Sequence, residues 1–131
     1  MIIYLDTNIV IYAVEQNPIF GPKARTRLAA AQAAGDSLMI SDLNANGVPG
    51  WSAEVWRCER TRRLSHLFKV TNVVAITATV CDRAAHIRAT YNFKSMDSLH
   101  LAAAVEHGAA VFLTADTRLN SFTGLAVEVL R

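Results

Sequence analysis

Three aspartates carry the chemistry this sequence is best equipped to do. Asp6 closes the apolar run Ile2-Ile-Tyr-Leu5, and Asp116 follows the run Ala110-Val-Phe-Leu-Thr114 within Thr-Ala-Asp-Thr-Arg118. Asp97 lies in the first turn of the helical stretch Ser95-Met-Asp-Ser-Leu-His-Leu-Ala102. Each has an ordinary structural job: helix cap, turn residue and helix-dipole partner respectively. Together they fall on the carboxyl rim of a parallel sheet, the place where open α/β sheets bind ligands. Three carboxylates about 5 Å apart repel by roughly 3 kcal/mol per pair at an effective dielectric near 20. A fold keeps them together when a cation neutralises them or a proton is shared. Hard oxygen ligands favour Mg2+ or Mn2+. Ions of that kind, held by carboxylates, suit in-line attack of water on a phosphodiester.

The elements that must position these acids follow from pattern. Ile2 to Leu5 is short, apolar and rich in β-branched and aromatic residues, as expected of a strand buried on both faces. Asp6-Thr7-Asn8 stops it, and Ile9 to Val14 begin a helix. Pro18 to Pro22 is expected as a loop. Lys23 to Gly35 reads as a helix closed by Gly35, and Ser37 to Ser41 as a second buried strand. Asn72 to Ile76 is a third strand. Thr77 to Tyr91 is an amphipathic helix with Val80, Ala84 and Ile87 facing inward, joined by Tyr91 at its end. Ser95 to His107 is a helix capped by Ser95 and ended by Gly108. Ala110 to Thr114 and Leu125 to Leu130 are the last strands. Strands separated by helices predict a single three-layer α/β/α sandwich around a parallel sheet of four to five strands.

Composition is consistent with this. The chain has 131 residues, 52% hydrophobic and 18% charged, enough for one folded domain and unlike a disordered chain. A net charge of +2 permits a nucleic-acid partner without demanding one. No apolar run reaches the roughly 18 residues of a membrane span, and the N-terminus lacks the features of a signal peptide. Cys58 and Cys81 form no metal or redox spacing, so a cytoplasmic setting is expected. His100, one turn after Asp97, is read as a half-buried helix residue able to hydrogen-bond within the site. His66, His86 and His107 show no ligand pattern. Ile9, Ile11, Tyr12, Ile19 and Phe20 exceed what one core face needs, so some are expected to be exposed to a partner chain.

Three stretches resemble one family. Tyr4-Leu-Asp-Thr-Asn-Ile-Val-Ile-Tyr12, Met96-Asp-Ser-Leu-His-Leu-Ala-Ala-Ala104 and Val111-Phe-Leu-Thr-Ala-Asp-Thr-Arg-Leu119 are similar, in order and separation, to a PIN domain of the VapC type. That type is the toxin ribonuclease of a toxin–antitoxin pair. The resemblance implies a Mg2+- or Mn2+-dependent endoribonuclease acting on RNA, inhibited by a small antitoxin protein and usually a homodimer. It matches Asp6, Asp97 and Asp116 to the family's metal-binding catalytic acids, and Asn8 and Thr114 to polar positions that support them. A phosphoacceptor receiver domain also clusters Asp at strand ends, but no Lys follows the last strand-end motif as that reading requires.

One departure stands out. The family places a further acid, normally Glu, in a pattern like Ser-x-Leu-x-x-x-Glu. Here Ser41-Asp-Leu43 is followed by Asn-Ala-Asn-Gly47, with Pro49 and Gly50 beyond. Asn-Ala-Asn-Gly-Val-Pro-Gly is codon-compatible, in a shifted frame, with Thr-Arg-Met-Glu-Cys-Arg-Val, which resembles an ordinary family helix with Glu in place of Gly47. Residues 44–66 are therefore expected to be atypical, an out-of-frame stretch that breaks local folding rules. Any helix over 53–68 should start after Pro49. The patch of Trp51, Trp56, Arg57, Arg60, Arg62 and Arg63 then reflects the frame and not a strand-binding surface. Glu54 is the possible substitute acid, about two helical turns late. Two functions follow: an active ribonuclease, or a catalytically impaired PIN fold that only binds antitoxin or another subunit.

Overall fold

The structure is a computed structural model that describes residues 1–14, 17–41 and 71–130. Its elements are β1 (Ile2–Leu5), α1 (Thr7–Val14), α2 (Phe20–Ala33), β2 (Ser37–Ser41) and β3 (Thr71–Val74), then α3 (Ala78–Tyr91) and α4 (Ser95–Glu106). β4 (Val111–Thr114), a 3-10 helix (Thr117–Ser121) and β5 (Ala126–Val129) complete the order. The expectations for residues 44–66, including Gly47, Glu54, Trp51 and Trp56, lie outside the described residues.

The five strands pair in the order β3-β2-β1-β4-β5, all parallel. Period-2 alternation divides the core into two layers. Ile3 and Leu5 of β1 join Ile9 and Val10 of α1, Leu28 and Ala31 of α2, Leu38, Ile40 and Leu113 on one face. Tyr4, Met39 and Phe112 turn the other way, onto Val80, Ala84 and Ile87 of α3 and Leu101 to Ala104 of α4. The expected α/β/α sandwich is therefore present, and the inward residues of α3 are those its periodicity implied.

Several boundaries shift for local reasons. α2 starts at Phe20, so Pro22 lies inside its first turn and not in a loop. A proline there sacrifices only an amide that has no helical partner. Asn17 sets the start, its Oδ1 accepting from the Ile19 and Phe20 amides at 3.0 and 2.9 Å. At the other end Ala34 is the C-cap and Gly35, at φ +79°, follows it. The Gly35 and Asp36 amides close back on Gln32 and Ala31, a left-handed stop that suits glycine. β3 runs from Thr71 to Val74, ending before Ala75 and Ile76.

The caps of α3 and α4 separate two sequence expectations. Thr77 is the N-cap of α3, its hydroxyl accepting from the Val80 amide at 3.2 Å. Ser95 is not the cap of α4; Lys94 holds that position, without a side-chain cap bond. Ser95 Oγ instead meets the Arg88 guanidinium on the surface. Thr77→Ala should therefore destabilise the fold by about 1 kcal/mol, while Ser95→Ala should change it by no more than about 0.5 kcal/mol. Urea denaturation of the two variants checks this; equal losses would mean that the cap assignment is wrong.

Candidate active site

Parallel register builds the site. β1 pairs Tyr4 with Met39 of β2 and Leu5 with Leu113 of β4. Carried one residue past Leu5, it sets Ser41, Asp6 and Thr114 in a row across the carboxyl end of three adjacent strands. All three are buried. Asp6 and Asp116 thus follow neighbouring strands, as expected, in the middle of the rim and not at a lateral edge of the sheet.

Asp6 caps α1 through its carbonyl, which accepts from the Ile9 and Val10 amides at 3.1 and 3.3 Å. Its carboxylate does other work. Oδ1 accepts from the Thr7 amide at 2.7 Å and Oδ2 from the Thr114 hydroxyl at 2.7 Å. Thr114 Oγ1 also accepts from the Asp116 amide at 3.1 Å and from Asn8 Nδ2 at 3.4 Å. One hydroxyl thereby uses its donor and both lone pairs. Asn8 Oδ1 accepts from the Ala115 amide at 3.2 Å, fastening the start of α1 to the turn after β4. Thr114 thus bonds Asp6 directly, and Asn8 reaches it only through Thr114.

Charge compensation is uneven among the acids. Burial pushes the Asp6 carboxyl above the usual carboxylate range, and Asp116 repels it further in the same direction. Burial raises Asp97 as well, followed by the charges of Asp6 and Asp116. Asp116 goes the other way, chiefly because Arg118 hydrogen-bonds to it. Arg118 Nε donates to Oδ1 at 3.0 Å and Nη2 to Oδ2 at 2.6 Å. Asp116 Oδ1 also accepts from the Arg118 amide at 3.0 Å and caps the 3-10 helix, so its turn role and its place at the site coexist. With the side chains turned this way, no three His, Cys, Asp or Glu among the described residues converge on one ion position.

His100 departs from the half-buried reading. It is almost wholly inside, with Nδ1 2.8 Å from the Tyr4 hydroxyl and Nε2 2.9 Å from Thr7 Oγ1. Burial lowers its pKa to about 4. The neutral ring thus ties α4 to the residue that follows Asp6. Ser41 Oγ is buried without a hydrogen-bond partner among the described residues.

A PIN-domain family model matches residues 3–125. The chain belongs to the PIN-domain family. No curated protein sequence matches it. Solved structures with the same fold include VapBC2 from Rickettsia felis bound to a DNA fragment from its promoter. That chain aligns with a TM-score of 0.77 and 17% identity over 100% of both chains. DNA-bound VapBC from Salmonella typhimurium aligns at 0.72 and 16%, over 100% of this chain and 99% of that one. FitAcB from Neisseria gonorrhoeae aligns at 0.66 and 20%, over 95% of each.

Within this PIN domain the structure adds four residues that sequence reasoning passed over or undervalued. Ser41 could have been found from strand register alone. His100 and Tyr4 lie one helical turn after Asp97 and two residues before Asp6, spacings that put both near the rim. Arg118 had no sequence signal beyond its separation of two from Asp116.

His100 gives the PIN domain a readable acid response. Its ring is neutral when folded and charged when unfolded between about pH 4 and 6.5. The unfolded state binds more protons there, so stability falls as pH falls through that window. Asp6 and Asp97, with raised pKa values, act oppositely: their ionisation erodes stability as pH rises above the usual carboxylate range. The parent should lose on the order of 2 kcal/mol more than His100→Gln when pH is lowered from 6.5 to 4.5. Urea midpoints across that range test it, and parallel pH profiles would show that His100 is not the group responsible.

Proposed function

We propose that this chain is a VapC-type toxin, an endoribonuclease dependent on Mg2+ or Mn2+ and restrained by a small antitoxin protein. The observation that carries the reading is Asp6: a buried carboxylate, repelled by a second acid, with no Lys, Arg or His in an ion pair with it among the described residues. A fold gains by holding such a group only if something positive arrives there. The all-oxygen donor set of Asp6, Asp97 and Asp116 suits a hard divalent ion, and the Ser41 oxygen, without a hydrogen-bond partner among the described residues, lies in the same row as Asp6. The antitoxin partner is supported by the fold shared with a solved toxin-antitoxin complex from Klebsiella pneumoniae, at a TM-score of 0.70 and 20% identity.

In this reading Asp6, Asp97 and Asp116 would hold the ion, which would supply positive charge to activate water and to offset the charge developing on phosphate. The chain's own residues set the geometry. The Thr7 amide and Thr114 hydroxyl fix both oxygens of Asp6; His100 in turn holds Thr7, and Asn8 holds Thr114. Because α1 and α4 are locked together near the rim, Asp6 and Asp97 reach the substrate on rigid elements.

A homodimer in the cytoplasm belongs to the same reading. Ile19 is 62% exposed and offers an apolar contact. Its neighbours are more enclosed than expected: Ile9 is fully buried, and Phe20 stacks on Tyr12 at 4.9 Å between ring centres. Any contact with a second copy therefore centres on Ile19 and not on the whole set.

The test is cleavage of single-stranded RNA with Mg2+ or Mn2+, beside Asp6→Asn. The variant should lose cleavage. Without metal it should still fold, since it no longer buries a charge, although its NH2 group replaces one of the two accepting oxygens. Adding Mg2+ or Mn2+ should raise the parent's melting temperature more than the variant's. Equal shifts would reduce Asp6 to a cap.

Arg118 favours a second reading, a PIN fold impaired in catalysis that binds partners only. Its guanidinium already neutralises Asp116, and Gly47 stands where the family's further acid is expected. Under this reading Arg118→Gln frees Asp116 and should tighten Mn2+ binding several-fold by calorimetry. Replacing residues 44–50 with Thr-Arg-Met-Glu-Cys-Arg-Val should tighten it further and raise cleavage. If neither change does so, the impaired reading fails.

A further inference from the structure

Beside the acids, a cavity of about 280 Å3 opens between the α3–α4 connection and the 3-10 helix. Among the described residues, its walls include Tyr91, Phe93, Lys94, Asp97, Arg118 and Leu119. Asp97 belongs to both places. A cavity that shares Asp97 with the acids is placed to take the unit next to a phosphate held there.

The walls divide by chemistry. Tyr91 and Phe93 stack, with ring centres 5.2 Å apart and planes within 8°. Tyr91 is fixed from behind: its hydroxyl lies 2.7 Å from Thr123 Oγ1, and Phe122 packs edge-on at 5.2 Å. A rigid aromatic surface presents stacking area with little ordering cost on binding. Lys94 and Arg118 are exposed, and both lie close enough to Asp116 to act on its charge. Aromatic rings beside cations form the surface that single-stranded nucleic acid uses, base on ring and phosphate on charge. The volume is near the roughly 300 Å3 lower bound of small-molecule sites, a space for one nucleotide. A net charge of only +2 makes such local contacts necessary for holding a polyanion.

We propose that this cavity is a nucleotide subsite for single-stranded RNA. The base of the nucleotide flanking the scissile phosphate rests against Tyr91 and Phe93, and Lys94 and Arg118 hold the adjoining phosphate. The proposal rests on the nuclease reading above. Stacking tolerates every base, so the subsite anchors the strand and excludes duplex, whose bases are already stacked on one another.

The test is binding of a short fluorescent single-stranded RNA in EDTA, where cleavage is stopped, beside a duplex of the same sequence. Lys94 is exposed and its side chain makes no cap bond, so Lys94→Gln should fold normally. Phe93→Leu keeps an apolar filler against Tyr91, and melting curves confirm that both variants are folded. The parent should prefer the single strand. Phe93→Leu should weaken binding about tenfold. Lys94→Gln should weaken it several-fold and flatten the salt dependence by about 0.7 in log–log slope. Both variants binding within twofold of the parent, or a parent with no preference over duplex, overturns the subsite. Metal-dependent cleavage with unchanged KM in both variants would also overturn it while leaving the nuclease reading in place. Loss of binding in the variants, with no cleavage by the parent, would support the subsite and remove the nuclease reading.

Discussion

A carboxylate buried at the end of the central strand is the constraint around which this domain is arranged. Asp6 is 4% exposed, and burial is the largest cause of its raised pKa. Its oxygens receive a backbone amide and a threonine hydroxyl, which ease desolvation without supplying opposite charge. Each group that steadies Asp6 is held by another element. Thr114 comes from β4, Asn8 reaches from α1 to the turn after β4, and His100 reaches from α4 to Thr7. The sheet and helices on both sides thus converge on one position.

The two layers meet this demand differently. α1 and α2 cover one face with aliphatic packing around Ile3, Leu5 and Leu38. The opposite face places aromatic and polar groups against the same strand. Tyr4 stacks on Phe112, with ring centres 5.4 Å apart, and hydrogen-bonds to His100. Burying an imidazole is tolerable because it stays neutral and both its nitrogens are engaged. That face therefore combines core packing with control of the site.

Charge is balanced locally at the rim. Arg118 chelates Asp116, while Asp6 and Asp97 keep raised pKa values. An exposed ion pair of this kind contributes little to stability and can exchange for another cation or for phosphate. Arg118 pairs with Asp116 and also lines the cavity of Tyr91 and Phe93, so one charge is shared by the two halves of the surface.

Much of this was legible in the sequence. Apolar runs ending at Asp6 and before Asp116 gave two strands and their rim, and the spacing of Val80, Ala84 and Ile87 gave the inner face of α3. Local patterns of this type act through neighbours a few residues apart, so sequence carries them directly. The start of α2 escaped because Asn17 sets it from outside the helix, and Ser95 looked like a cap because its type suits one. The burial of His100, the row of Ser41, Asp6 and Thr114, and the pairing of Tyr91 with Phe93 beside Arg118 were decided by the tertiary structure. Each depends on strand register or on helices distant in sequence meeting at one point. The sequence determined which acids stand at the sheet's carboxyl end. Only packing across 96 residues, from Tyr4 to His100, decided which groups hold them, because a hydrogen bond between distant segments leaves no periodicity to read.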